Sequence, residues 1–198
     1  LDFFAGSGTT LHAVNLLNAI DGGCRRCILV TNNEVSEDEA KTLTKKGLHP
    51  GDEEWERYGI ARYVTWPRTV CSIKGIDVNG NPIQGTYLSN NAPMSEGFAT
   101  NVEYFKLGFL DKNSVSLGQQ FIEILPLLWL KAGAIGKRPE LDGEELPDML
   151  ILPQNSFAVL LDEDCYGKFT EALQEADSIG TVYFVTNSEE AFREMSDG

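Results

Sequence analysis

Gly6 and Gly8 are separated by a single residue, and this spacing points more directly to ligand binding than any other in the chain. They follow a short apolar stretch that starts at Leu1, and they precede a helix-favouring run that starts at Leu11. A glycine-rich turn between a strand and a helix brings backbone N–H groups and a helix N-terminus to one place. The sequence therefore predicts a nucleotide-type cofactor site at this turn.

The neighbouring residues narrow the class of ligand. A kinase-like phosphate loop has lysine directly after its last glycine, where this chain has Thr9. A dinucleotide loop has a third glycine or alanine where this chain has Leu11. What remains is Phe-x-Gly-x-Gly, from Phe4 to Gly8, with Asp2 two positions earlier. Such a loop lets the backbone approach an amino acid and a sugar; the plain alternative is a turn that only joins a strand to a helix.

The loop and several other segments resemble one family of enzymes, the modification (methyltransferase) subunits of type III restriction–modification systems and related adenine-specific DNA methyltransferases. In that family the loop is called motif I. The resemblance is good to about Leu110 and is carried by residues 2–10, 12–14, 17–18, 21–23, 26, 28–31, 58–69 and 102–107.

This resemblance implies that S-adenosylmethionine binds at the loop, with Asp2 as the partner of its ammonium group. Thr9 and Thr10 would cap the following helix and reach the carboxylate. Five residues would cradle the methionine end, namely Phe4, Ala5, Gly6, Ser7 and Gly8.

A second contact is expected where the next strand ends. In the broader methyltransferase fold an acidic residue at that point binds the ribose hydroxyls, and the strict position here is Thr31. The carboxylate is therefore either displaced to Glu34 or replaced by the neutral groups of Thr31 and Asn33. The sequence slightly favours the two neutral residues.

The catalytic motif of the family, Asp-Pro-Pro-Tyr and its variants, does not occur in these residues. In this class it precedes motif I, and the chain opens inside a strand, so we expect the C-terminal piece of a larger protein. We expect no catalytic residue in this piece and no activity from it alone. The intact protein is expected to methylate adenine N6 of a base flipped out of duplex DNA. Cytosine N4 stays open, because the absent motif makes that distinction.

The net charge of −14 over 198 residues is unusual for a protein that contacts DNA. Residues 1–100 carry 9 Lys and Arg against 12 Asp and Glu, whereas residues 101–198 carry 7 against 18. Because Lys and Arg neutralise phosphates, we expect double-stranded DNA to contact the missing N-terminal region instead. The acidic half suggests an alternative role as an assembly or dimerisation module, with a second copy or a restriction subunit as its partner.

The order of elements predicts an α/β fold. It is expected to be part of a Rossmann-like S-adenosylmethionine-dependent methyltransferase sheet, followed by a small α/β C-terminal domain. We expect residues 1–112 to be the motif I half of the methyltransferase domain and residues 113–198 to be the small acidic domain. The apolar run 27–31 reads as a parallel strand covered on both faces, residues 102–107 as a further strand of that sheet, and residues 157–161 as a strand of the small domain. Gly22 is expected to end the helix after the loop, and Ser36 to start the next one.

Two helices are predicted from periodicity and apolar content. The first is amphipathic, begins at Asp52, has its arginines on the solvent side and is kinked at Pro67. The second covers residues 116–132 and is expected to be buried.

Other chemistries are not supported. Cys24 and Cys27 lack a second pair for zinc, so we expect no metal site and reduced thiols, as in the cytoplasm. The apolar run 121–130 is too short to span a bilayer. His12 is expected to pack, and the acidic run 162–164 to be solvated at a strand end.

Overall fold

The computed structural model describes residues 1–111, 120–141 and 146–197. The chain is a mixed α/β protein with two compact units, Leu1–Lys106 and Leu107–Gly198. The domain boundary predicted between residues 112 and 113 lies outside the described residues. None of the helices in the described ranges combines the length and the apolarity that crossing a bilayer requires.

The first unit is built around two short parallel strands and the helices that follow them. Asp2 pairs with Leu29, and Phe3 pairs with Val30. Its elements are β1 (Asp2–Phe3), α1 (Thr9–Asp21), β2 (Leu29–Val30), α2 (Glu37–Lys45), α3 (Glu53–Glu56), a π-helix (Ala61–Thr65), α4 (Trp66–Lys74) and a 3-10 turn (Met94–Glu96).

Several local signals are confirmed in this unit. Gly22 ends α1 in the left-handed conformation, and its N–H donates to the Asn18 carbonyl. The Ser36 hydroxyl accepts from the Glu39 N–H and starts α2. Both helix ends lie where the sequence predicts them, because a cap depends only on residues within one turn.

Three predictions for this unit are wrong. Ile28 and Val30 are 62% and 37% exposed, so the predicted strand at residues 27–31 is not covered on both faces within the described residues. Residues 102–107 form no strand, because no described neighbour supplies their ladder hydrogen bonds. The helix from Asp52 is interrupted after Glu56; helical structure resumes in the π-helix Ala61–Thr65, which continues directly into α4, where Pro67 lies.

The second unit is a three-stranded sheet with helices. The strand order is β3-β4-β5, with β3 antiparallel and β5 parallel to the central strand. All four residues of β4 are buried, as an apolar central strand requires. The elements are α5 (Phe121–Lys131), β3 (Met149–Leu152), a 3-10 turn (Pro153–Asn155), β4 (Phe157–Leu160), a 3-10 turn (Glu163–Cys165), α6 (Tyr166–Glu175), β5 (Thr181–Phe184) and α7 (Glu189–Asp197).

The predicted buried helix of this unit is only half buried. The part of that prediction at residues 116–119 lies outside the described residues. In α5, Phe121, Leu125 and Trp129 face the core, one turn apart. The side chains of three apolar residues are instead more than two-fifths exposed, namely Ile122, Leu127 and Leu130.

Candidate functional site

The glycine loop, Phe4–Gly8, leaves β1 through an unusual backbone. Phe4 donates its N–H to the Val30 carbonyl at 2.7 Å, which extends the parallel pairing by one residue. Three residues of the loop then have positive φ, namely 69° at Phe4, 52° at Gly6 and 77° at Gly8. Glycine adopts this region freely, but a side chain there costs about 1–2 kcal/mol. The strained Phe4 marks the loop as a candidate ligand site.

The end of the loop is also the start of α1. Gly8 is the N-cap residue, so Thr9 and Thr10 lie in the first helical turn and the prediction that they cap the helix is wrong. Since glycine offers no capping side chain, it leaves the first N–H groups of α1 to other acceptors. This is the arrangement in which a helix N-terminus holds an anionic group.

The loop is held from behind by side chains of the segment 61–74. The buried Thr65 hydroxyl donates to the Gly6 carbonyl oxygen at 2.5 Å and also lies 3.1 Å from the Ile60 carbonyl oxygen. A Cβ at Gly8 would lie 3.3 Å from the Thr65 methyl group and 3.4 Å from the Thr69 hydroxyl. The loop therefore packs directly against this segment, and Gly8 is needed for the close approach.

Arg68 makes the most contacts to the loop. Its Nη1 donates to the Ser7 hydroxyl at 2.7 Å, the Ser7 carbonyl at 3.2 Å and the Thr9 hydroxyl at 3.3 Å. Arg68 is exposed, as predicted for the arginines of this segment, but its contact to the loop is not apparent from the sequence. The only available signal was the i, i+3 spacing of Thr65 and Arg68, which puts both on one helix face.

Asp2 bonds to the next residue of the same helical turn. Its carboxylate accepts from the Thr10 hydroxyl at 2.7 Å, and the residue is half-buried within β1. The first turn of α1 thus has a carboxylate bonded to Thr10 and a guanidinium bonded to Thr9. One negative and one positive side chain therefore flank the predicted amino-acid end of the site.

Of the three residues predicted to contact the ribose, Asn33 already uses its side chain for hydrogen bonds within the protein. Its Nδ2 donates to the Glu56 carbonyl at 2.7 Å and to the Glu56 carboxylate at 2.8 Å. Its Oδ1 accepts from the Arg62 N–H at 3.2 Å. The hydrogen bond from Asn33 also holds the pKa of the Glu56 carboxyl below its usual value. Asn33 therefore ties the end of β2 to the segment after α3.

The side chains of the other two ribose candidates make fewer hydrogen bonds than that of Asn33. The Thr31 hydroxyl donates to the Asn32 carbonyl at 3.1 Å, and Glu34 uses its backbone carbonyl to accept from the Ile60 N–H at 2.8 Å. Gly59 leaves room for the Asn33 side chain, because a Cβ at residue 59 would collide with it. The end of β2 and residues 59–62 consequently form one close contact.

His12 packs, as predicted, in an aromatic cluster. Its ring meets Tyr87 and Phe98 edge to face, with centroids 5.6 and 5.5 Å away. Its Nε2 is 3.0 Å from the Tyr87 hydroxyl, and within the described residues its buried Nδ1 has no hydrogen-bond partner. Burial lowers the pKa of His12, and the nearby Arg68 charge lowers it further. A neutral packing imidazole results.

Among the described residues, one group of side chains has metal-type ligand atoms close together. Side-chain atoms of Asp148, Asp162 and Cys165 lie within 4.8 Å of one another. Burial, followed by the Asp148 charge, raises the pKa of the Cys165 thiol. Asp162 caps its own turn by accepting from the Asp164 N–H at 3.0 Å. This group is not apparent from the sequence, because Asp148 lies 14 positions before Asp162. The four cysteines are free thiols.

Comparison with known proteins supports the resemblance over short stretches. The chain is 64% identical over 33 residues to a type II methyltransferase, M.KpnI, of Klebsiella pneumoniae; this is 17% of the chain and 8% of the relative. It is 47% identical over 62 residues to the StyLTI Mod subunit, a type III restriction–modification enzyme of Salmonella typhimurium, covering 31% of the chain and 9% of the relative.

A third relative is the EcoPI Mod subunit of Escherichia phage P1, also a type III restriction–modification enzyme. It is 60% identical over 35 residues, which are 18% of the chain and 5% of that subunit. No family model and no solved structure matches the chain. The partial matches confirm the resemblance to methyltransferases of restriction–modification systems.

Proposed function

We propose that this chain supplies the donor-binding part of a DNA methyltransferase that transfers a methyl group from S-adenosylmethionine to adenine N6. The observation that carries the proposal is the Phe4–Gly8 loop, with three positive φ angles and an uncapped α1 behind it. The loop occurs in a chain similar to restriction–modification methyltransferases. Its parallel strands, β1 and β2, would then be part of a Rossmann-like sheet.

The residues present suit that donor. Bound S-adenosylmethionine supplies a sulfonium methyl group; the loop backbone would hold its methionine end, because glycines let the chain approach closely. Asp2 has the charge to bind the ammonium group. Since both amide hydrogens of Asn33 are used on Glu56, we assign the ribose contact to Thr31 and Glu34.

We further propose that DNA contacts and catalysis come from residues outside this chain, in a cytoplasmic enzyme. The target adenine would leave the duplex so that its amino nitrogen can align with the methyl carbon. The strongly acidic residues 101–198 would face away from the duplex, because like charges repel.

The test uses the full-length protein that carries this chain. Calorimetry should show binding of S-adenosylhomocysteine, and a tritiated donor should label adenine N6 in DNA. Gly6→Ala should weaken binding at least about tenfold, because a side chain at φ 52° strains the loop where it meets the ligand. The added Cβ would approach only the Phe4 carbonyl, at 3.8 Å, so it meets no protein obstacle.

Gly22→Ala is the matched control, because Gly22 has φ 69° in open space outside the loop. It should leave the affinity unchanged. Absence of donor binding by the unsubstituted protein, or label at another base atom, would contradict the corresponding part of the proposal.

A second candidate function is an assembly module for a restriction–modification complex. The observation that favours it is the exposed apolar side of α5, formed by Ile122, Leu127 and Leu130. The exposed side of a surface helix is normally charged or polar, whereas here Glu123 is accompanied by these three apolar residues. A second copy or a restriction subunit would cover this side, and self-association in solution would support the role.

A further inference from the structure

The cationic side of the loop has unused binding capacity. All three hydrogen bonds from Arg68 to the loop and to Thr9 use the same nitrogen, Nη1. An arginine has five N–H donors in a planar fork. Within the described part of the chain, Nε and Nη2 of Arg68 make no hydrogen bond, and the side chain is exposed. Arg68 is therefore anchored at one nitrogen and free to bind an anion with the others.

The two charged side chains at the start of α1, Arg68 and Asp2, are bonded to different residues. Arg68 is bonded to Ser7 and Thr9, whereas Asp2 is bonded to Thr10. A zwitterionic amino acid needs one partner of each sign, and Asp2 and Arg68 are such a pair at the first turn of one helix. The anchored guanidinium also loses little freedom on binding a carboxylate, since Ser7 already restricts it.

We propose that Arg68 binds the carboxylate at the amino-acid end of the methyl donor, opposite Asp2 at the ammonium group. This inference rests on the proposed function and adds to it a binding residue outside motif I. Charge-assisted hydrogen bonds to a carboxylate contribute about 1.5–3 kcal/mol, which corresponds to roughly 10- to 100-fold in affinity.

The test is a comparison of two ligands on the full-length protein. S-adenosylhomocysteine carries both charged groups, and its decarboxylated analogue, 5′-(3-aminopropylthio)-5′-deoxyadenosine, keeps only the ammonium group. Calorimetry should show that Arg68→Gln weakens the first ligand about 10- to 100-fold and the second less than about twofold. Arg68→Lys should be intermediate, because lysine keeps the charge but not the fork.

Arg62→Gln is the matched control, since Arg62 is an exposed arginine of the same segment and makes its contact to Asn33 through the backbone N–H. It should leave both affinities unchanged. Equal losses for both ligands in Arg68→Gln would show that Arg68 only holds the loop, and no loss for either would show no role; both results overturn the inference. If the unsubstituted protein binds neither ligand, the proposed function itself fails.

Discussion

His12 and its neighbours show how polar the contact between α1 and α4 is. Asn15, Thr65, Thr69 and Ser72 are each at most 8% exposed. In the described residues, the buried Asn15 Nδ2 and His12 Nδ1 have no hydrogen-bond partner. A buried unsatisfied polar group costs about 1–3 kcal/mol. This contact, directly behind the glycine loop, is therefore weaker than an apolar one of the same area.

Protonation of His12 should weaken the fold as the pH falls. The groups facing its ring are the Tyr87 hydroxyl and the Arg68 charge. Because burial lowers its pKa below the usual 6.5, the unfolded chain takes up the proton first. The stabilisation is thus complete above about pH 6.5 and declines below it. Urea unfolding of the chain at several pH values should show a shallower decline for His12→Gln.

His49→Gln is the control for that experiment, since His49 lies in an exposed loop before Pro50. This substitution should leave the pH dependence of the free energy of unfolding as it is in the unsubstituted chain. If the free energy of unfolding declines equally steeply with falling pH in His12→Gln and in the unsubstituted chain, His12 makes no contribution to that decline.

The packing of α4 against the segment that follows it depends on two glycines. Gly75 ends α4 at φ 70°, and its N–H donates to the Cys71 carbonyl. A Cβ on Gly75 would collide with the Ser95 backbone, and one on Gly97 with the Ile73 carbonyl. Since Phe98 donates its N–H to Ile73 at 3.0 Å, this close approach also brings Phe98 to the aromatic cluster.

Gly75→Ala should therefore destabilise the chain more than a left-handed glycine in open space does. Gly22→Ala has nearly the same φ, 69°, without any neighbour, and should cost only about 1–2 kcal/mol. The collision at Gly75 should add about 1–3 kcal/mol. Chemical denaturation of both variants measures the difference, and equal losses would show that the segment shifts aside without cost.

At the scale of the whole molecule, charge and apolar surface are unevenly distributed. Residues 101–198 carry 18 acidic against 7 basic residues, yet α5 exposes Ile122 and Leu127 at 45% and 44%. Acidic charge keeps a surface soluble and repels nucleic acid. An exposed apolar side within it is typical of a protein interface.

If α5 forms such an interface, size-exclusion chromatography with light scattering should show a dimer of the chain. Leu127→Lys should shift it to monomer, because a charge on a buried apolar interface is costly. Val78→Lys is the control, since Val78 is 77% exposed in a turn of the other unit. A monomer at high concentration before any substitution would contradict self-association.

The parts of the fold that were predictable depend on short-range physics. The glycine loop, the ends at Gly22 and Ser36, and the apolar strand β4 were read from residues a few positions apart. Backbone conformation, capping and side-chain periodicity are decided within one or two turns. The predicted strand at 102–107 failed because a strand also needs a partner, which its own residues cannot specify.

The sequence by itself thus determined where the glycine loop lies and which charged residue, Asp2, precedes it. Only the tertiary structure decided what holds that loop, since Thr65 and Arg68 reach it from 59 and 61 positions away. The tertiary structure likewise uses the Asn33 amide for hydrogen bonds to Glu56, and it places Gly59 where a Cβ would collide with the Asn33 side chain. Such contacts depend on how distant segments meet, and no local propensity encodes that meeting.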